Sequence, residues 1–214
     1  MGRPVARSAQ SFIPPHLSIP SLRKAALACT GCDLYKHATQ TVFGEGAPHA
    51  KILFVGEQPG DQEDRAGHPF VGPAGKLLDK ALAEAGIARQ DAYVTNAVKH
   101  FKWEPQGKRR KHKKPSSAEV AACRPWLEAE LRVIEPQVVV CLGATAAQSV
   151  FGRSVRVNEM RGKPWATAMA KTVFVTIHPS AILRYHEDRQ RHEEYRGFVE
   201  DLARLRAFLE AEAA

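Results

Sequence analysis

The sequence predicts an α/β fold: a three-layer α/β/α sandwich around a central, mainly parallel four-stranded sheet. Three observations carry this expectation. Short apolar runs recur at residues 52–55, 93–98, 138–142 and 173–177, each a length suited to a buried strand. Segments with helical spacing alternate with them, the signature of parallel strands covered by helices on both faces. Glycines close the first and third runs, at Gly56 and Gly143, where chain and ligand can approach closely.

The elements follow in order. Residues 1–20 contain Pro4, Pro14, Pro15 and Pro20 with little apolar periodicity, and read as a flexible arm. Residues 21–37 read as a short helix broken by a Cys29-x2-Cys32 pair, with Gly31 allowing a tight turn. Leu77, Leu78, Ala81 and Leu82 share one face of a helix over 74–85, and Gly86 fits its C-terminal stop. Ser116 and Glu119 form a capping-box pattern that starts a helix running to 134, which Pro136 ends. A helix over 144–150 follows the third strand. Phe198, Leu202, Leu205 and Leu209 mark a long amphipathic helix over 193–212. A chain of 214 residues suits one such domain, placed at 21–214.

The apolar content of 44% and charged content of 25% are ordinary for a soluble globular protein. No apolar run approaches the ~18 residues of a membrane span. The first 20 residues hold no secretory h-region. A cytoplasmic monomer without membrane contact is the expectation. The net charge is +8, and +7 of it lies between Lys99 and Lys114, where six Lys and two Arg face one Glu. So focused a charge points to a polyanionic partner, with Lys99, Lys108, Arg109 and Arg110 as candidate contacts. The four cysteines, Cys29, Cys32, Cys123 and Cys141, suit zinc or an iron–sulfur cluster in a reducing compartment. Cys123 and Cys141 equally suit small buried apolar positions.

Ligands in such sheets bind outside the carboxyl ends of the strands. Those ends carry Gly56-Glu57-Gln58, Asn96, Gly143 and His178. The turn from Gly56 to Asp61 has no dinucleotide or P-loop signature, and Glu63 and Asp64 beyond it fit a solvated acidic turn. Phe70, in a glycine- and proline-rich loop, is either a base-stacking platform or a core anchor. Asn96 offers a donor and an acceptor that match a pyrimidine edge, or it satisfies local backbone. His178 can hydrogen-bond a departing base as negative charge grows on it. Ser180 and Arg184 lie where a phosphate would be held. Ile182 and Leu183 read as a wedge into the nucleic-acid stack or as ordinary helix packing.

The runs Gly56-Glu57-Gln58-Pro59-Gly60, Phe70-Val71-Gly72-Pro73-Ala74-Gly75, Thr95-Asn96-Ala97-Val98-Lys99, Leu142-Gly143 and His178-Pro179-Ser180 together resemble the family 4 uracil-DNA glycosylases over roughly residues 21–210. The resemblance implies excision of uracil from single- or double-stranded DNA. It implies a [4Fe–4S] cluster on Cys29, Cys32, Cys123 and Cys141. It also implies a uracil site at Gly56, Gln58, Asp61, Phe70, Asn96 and His178. Two departures resemble the narrower UdgX branch, whose members become covalently joined to uracil-containing DNA. One is Gln58, where the family usually has Ala. The other is the inserted loop Gly107-Lys108-Arg109-Arg110-Lys111-His112, in which Lys111 replaces the Ile common in that branch. That likeness implies His112 as nucleophile, with Glu57 as the base beside it. A surface histidine in a DNA-contacting loop is the plainer reading of His112. An ordinary turnover glycosylase and a non-catalytic iron–sulfur or zinc DNA-binding module are the competing functions.

Overall fold

The computed structural model describes residues 8–213. Four parallel strands form the centre of the sheet: β2 (Ile52–Gly56), β3 (Ala92–Asn96), β6 (Val138–Leu142) and β8 (Val173–Thr176). Two-residue antiparallel strands, β1 (Glu45–Gly46) and β7 (Pro164–Trp165), close its edges, giving the order β1-β3-β2-β6-β8-β7. The expected four-stranded sheet is thus the core of a six-stranded one. Two-residue strands carry too short a pattern to be read from sequence, and they cap edges that would otherwise invite further pairing.

The central strands are buried throughout. Alternate residues feed two cores. Leu53, Val55, Tyr93, Val139 and Cys141 face α1 (Ile19–Ala26), α4 (Ser117–Ile134) and α5 (Ala144–Phe151). Ile52, Phe54, Val94, Val140 and Phe174 face α3 (Pro73–Glu84) and α8 (Asp188–Glu212). Each fully buried Leu, Ile or Phe contributes about 1.5–3 kcal/mol relative to exposure, so the sandwich is held from both sides. The expected capping box starts α4: Ser116 Oγ accepts the Glu119 N–H, and Glu119 accepts the Ser116 N–H. Gly86, in the left-handed region at φ +74, follows the last residues of α3 as expected.

Three expectations are corrected. The proline-rich arm is packed from Ser8 onward: Ala9–Phe12 form a 3-10 turn and Ala9 is buried beside α4, because that turn presents small and apolar side chains to the helix. The part of the arm before Ser8 lies outside the described residues. The acidic turn after β2 is a helix, α2 (Asp61–Ala66), and its Glu63 and Asp64 are buried rather than solvated. The basic loop is a hairpin of β4 (Trp103–Gln106) and β5 (Arg109–His112), turning on Gly107 at φ +60. Short helices α6 (Val157–Met160) and α7 (Pro179–Ile182) complete the chain. Among the described residues, no helix is long and apolar enough to cross a membrane.

The chain leaves β2 to pair with β3 on one side and returns to pair β6 on the other. The strand order therefore reverses between β2 and β6. The crevice expected at such a switch point opens at Glu57 and Gly143.

Candidate active site

A cleft in two lobes sits at this edge. One lobe, of about 410 Å³, is lined by Glu57, His112, Lys114, Gly143, Thr145 and Arg184, among others. The second, of about 400 Å³, is lined by Asp61, Glu63, Phe70, Asn96, His178 and Leu183, among others. Gln58, His112, His178, Ser180 and Arg184 border both, so the end of β5 and α7 form the waist between them.

The second lobe has the shape and chemistry of a flat heterocycle's pocket. Phe70 adopts φ +57, a conformation few non-glycine residues take, which marks a position held by its surroundings. Its ring stacks near the His178 imidazole, with centroids 6.3 Å apart and planes at 28°. Gly56 is required beneath it. A Cβ there would fall 2.4 Å from Asn96 Oδ1 and 2.7 Å from the Phe70 ring. The Gly56–Asn96 register of β2 and β3 places that amide beside the aromatic. Asn96 is 3% exposed, and its side-chain amide makes no hydrogen bond to another described residue. It is free to offer both a donor and an acceptor to a ring edge. Glu63 accepts the Gly72 N–H at 2.8 Å, fixing the loop that carries Phe70.

His178 caps α7. The Ser180 N–H donates to its Nδ1 at 3.1 Å, and the Ser180 hydroxyl lies 2.8 Å from the same nitrogen. A backbone N–H can only donate, so Nδ1 is the acceptor and the neutral ring carries its proton on Nε2. Burial lowers the His178 pKa to about 4, with the nearby Arg184 and His112 charges adding to the shift. The imidazole is therefore neutral at pH 7, with an Nε2–H to donate.

In the first lobe, His112 Nε2 lies 3.3 Å from Glu57 Oε1. Glu57 Oε2 in turn accepts the Thr145 hydroxyl at 2.5 Å. Burial and Arg184 lower the His112 pKa below its ordinary value, against the opposing pull of Glu57. An imidazole here stays neutral, and an acceptor for its proton is within reach. Thr145 was not among the residues expected from sequence. Its only signal is a hydroxyl in the first turn of a helix at the switch point.

The basic segment divides into two classes. Lys108 and Arg109 are exposed at the hairpin turn, as a phosphate contact requires, and Arg184 is exposed beside Ser180. Lys99 is not a DNA contact. It is 1% exposed, and its Nζ bonds Glu130 Oε2 (2.6 Å), Thr95 Oγ1 (2.6 Å) and the Asn96 carbonyl (2.8 Å). At the end of a buried strand, a lysine satisfies the one carboxylate there rather than reaching water. Arg110 is also turned inward. Its guanidinium bonds Asp61 at 2.5 Å and Asp64 at 2.6 Å, and lies over the Phe101 and Trp103 rings.

Two residues expected to touch the base serve the hairpin instead. Asp61 borders the second lobe, but its carboxylate is bonded by Arg65 and Arg110. Gln58 spends its whole amide on the backbone flanking the hairpin: its Oε1 accepts the Lys102 N–H (2.9 Å) and its Nε2 donates to the Lys113 (3.0 Å) and Lys102 (3.3 Å) carbonyls. Ile182 is 1% exposed and belongs to the core, whereas Leu183 is 43% exposed at the cleft mouth. Of the two, only Leu183 is free to act as a wedge.

Cys29, Cys123 and Cys141 are buried in the core layer of α1 and α4, and Cys32 packs against it, half-buried. The Trp126 indole donates to Cys29 Sγ and the Lys99 N–H to Cys123 Sγ, each at 3.3 Å, the donor pattern that suits a thiolate. Burial raises the Cys123 thiol to about 12 and pushes Cys32 and Cys141 upward too. Deprotonating them needs a strong positive charge. Among the described residues no three His, Cys, Asp or Glu side chains gather closely enough for a single metal ion.

Comparison with known proteins bears on this cleft. The family model described as the uracil DNA glycosylase superfamily matches residues 43–203. A type-4 uracil-DNA glycosylase of Thermotoga maritima is 40% identical, over 86% of this chain and 91% of its own. Those of Archaeoglobus fulgidus and Sulfurisphaera tokodaii are 37% and 35% identical, over 82% and 78% of this chain and 88% and 76% of theirs. The matched span holds every cleft residue from Gly56 to Arg184, so the chain belongs to the uracil DNA glycosylase superfamily.

Proposed function

We propose that this protein excises uracil from DNA in repair, and that His112 captures the sugar C1′ once the base departs, leaving protein and DNA covalently joined. The observation that carries the second step is the 3.3 Å approach of His112 Nε2 to Glu57 Oε1, across the cleft waist from His178.

Uracil in a duplex must be extruded before its glycosidic bond is reachable. Leu183 would fill the vacated stack, and Lys108, Arg109, Ser180 and Arg184 would hold the phosphates. Phe70 would stack on the ring and Asn96 would read its polar edge. As the C1′–N1 bond breaks, its electron pair leaves with uracil. The Nε2–H of His178 donates to the uracil oxygen where negative charge gathers, a contact worth on the order of 2.7–4 kcal/mol of barrier. Glu57 faces the positive character left at C1′. His112 Nε2 lies 3.3 Å from Glu57 Oε1, where the carboxylate can accept a proton carried on that nitrogen. Loss of that proton to Glu57 Oε1 leaves on Nε2 the lone pair that forms the new N–C1′ bond, so the positive charge at C1′ ends as a proton on the carboxylate. The product has no easy hydrolytic exit.

In the same proposal the four cysteines hold a [4Fe–4S] cluster. When bound, such a cluster would supply the positive charge that keeps buried thiols deprotonated, and its cysteine ligands would tie the chain around Cys29 to α4 and β6. The protein acts as a cytoplasmic monomer on single- or double-stranded DNA, through a single domain that takes in the packed residues from Ser8 onward. The type-4 relatives favour a second reading, in which water takes C1′ and the enzyme turns over.

Incubation with uracil-containing single-stranded DNA, followed by a denaturing gel, separates the two. The wild type should give a complex that survives SDS and heat. His112→Ala should give none, while releasing free uracil. Free uracil without a complex from the wild type would establish turnover, and a complex persisting in His112→Ala would assign the bond to another residue.

A further inference from the structure

We propose that Thr145 is the positioning residue for Glu57, holding one carboxylate oxygen so that the other is presented to His112 and C1′. The inference rests on Glu57 and His112 being a working pair.

The fold delivers Thr145 by a specific turn. β6 ends at Leu142, and Gly143 turns the chain at φ +87. A Cβ at Gly143 would lie 3.1 Å from the His178 Cβ, so the close packing of this turn on the end of β8 leaves little room for a side chain. α5 begins at once, and Thr145 falls in its first turn, 3% exposed and facing the cleft. Its hydroxyl donates to Glu57 Oε2 at 2.5 Å, while Glu57 Oε1 lies 3.3 Å from His112 Nε2. The two oxygens thus have separate duties.

Such an anchor is needed for two reasons. The terminal torsion of a glutamate is broad and soft, so an untethered carboxylate would sample many orientations. Two cations, Lys114 and Arg184, line the same lobe and compete for any free carboxylate oxygen. A carboxylate drawn to either would turn away from His112. The helix that carries Thr145 is packed on β6 and α4, so its hydroxyl is a fixed point, while Glu57 sits in the glycine-flanked turn after β2. The only polar contact recorded for the Thr145 side chain among the described residues is this one.

The test is single-turnover kinetics, with protein in excess over labelled uracil-containing DNA. Both adduct formation and uracil release are followed, and the limiting rate is separated from the half-saturating concentration. Thr145→Val keeps the shape and removes the donor. It should lower the limiting rate about 10- to 100-fold, the effect of losing one hydrogen bond to a charged group. The half-saturating concentration should stay within about threefold. Thr145→Ser should restore the rate to within about threefold, which a purely structural role for the methyl group would not allow. In a Glu57→Gln background, Thr145→Val should add less than about twofold, because a residue acting only through Glu57 has nothing left to position. A wild-type rate in Thr145→Val, failure of Thr145→Ser to restore it, or a full additional loss on top of Glu57→Gln would each overturn the proposal. Should Thr145→Val not fold, Thr145→Ala carries the same comparison. If the wild type releases uracil without forming an adduct, the trapping reading fails alone, and Thr145 is judged on the release rate.

Discussion

Replacing Arg110 with Gln tests whether the charge of the hairpin is a latch or a DNA contact. The arginine side chain is 14% exposed and bridges two carboxylates on α2, one of them on the fully buried Asp64. Breaking a buried pair by removing one partner costs about 3–5 kcal/mol, because the other charge is left behind. Asp64 keeps two contacts from the Thr39 N–H, at 3.0 and 3.1 Å, which puts the cost near the lower end. The Asp61 limb is 40% exposed and worth at most about 1 kcal/mol. Opposing that loss are the bonds that also dock the hairpin: the Gln58 amide, the Trp103 indole on the His37 carbonyl, and the Lys102–Glu119 ion pair. At about 1 kcal/mol each, they roughly offset the lost latch. The hairpin should then be docked only part of the time. The adduct rate should fall about tenfold or more, uracil release should fall less, and amide exchange over residues 103–112 should quicken. Arg110→Lys should not restore the rate, since a single ammonium cannot fork across two carboxylates. An adduct rate within about twofold of wild type, with unchanged exchange, would refute this reasoning.

Lys99→Met should destabilise the fold by about 3–5 kcal/mol by stranding the buried Glu130 carboxylate, lowering the melting temperature by ~6–20 °C. The salt dependence of DNA binding should not change; a loss of about one unit of slope would mean that Lys99 does meet a phosphate. His100 and His178 both stay neutral down to about pH 4 when folded, chiefly through burial, whereas an unfolded histidine takes its proton near 6.5. Their folded pKa values are depressed, so their share of stability is whole above pH ~6.5 and is lost as the pH falls toward 4, on the order of 3 kcal/mol each. Urea midpoints measured between pH 7 and 4 check this, and a flat profile would contradict it.

The layers were legible because buried strands and amphipathic helices leave long, regular traces. The run from Val138 to Leu142 and the Ser116–Glu119 cap read the same in sequence and in space. The site was legible wherever position on a strand fixes direction: Gly56, Asn96 and His178 converge because parallel strands end at one edge. What was not legible were contacts between segments far apart in the chain. The charge of Lys99 and Arg110 is visible in the sequence, but its partners are not. Glu130 is 31 residues from Lys99, and Asp64 is 46 from Arg110. A basic run counts toward a nucleic-acid contact until the fold shows which of its members have been neutralised.

Two sequence departures noted separately, Gln58 and the basic insertion, prove to be one feature. An alanine at position 58 has nothing with which to bind the strands of an inserted hairpin, whereas the Gln58 amide joins the backbone on both sides of it, at Lys102 and Lys113. Removing the insertion would leave a buried amide unsatisfied, at about 1–3 kcal/mol. Removing the amide would loosen the base of the element that brings an imidazole to Glu57. Each explains the presence of the other, and both serve the placement of His112. Lys111 is exposed beside Glu104 and takes no part in this docking, whose bonds are made by Gln58, Arg110 and Trp103.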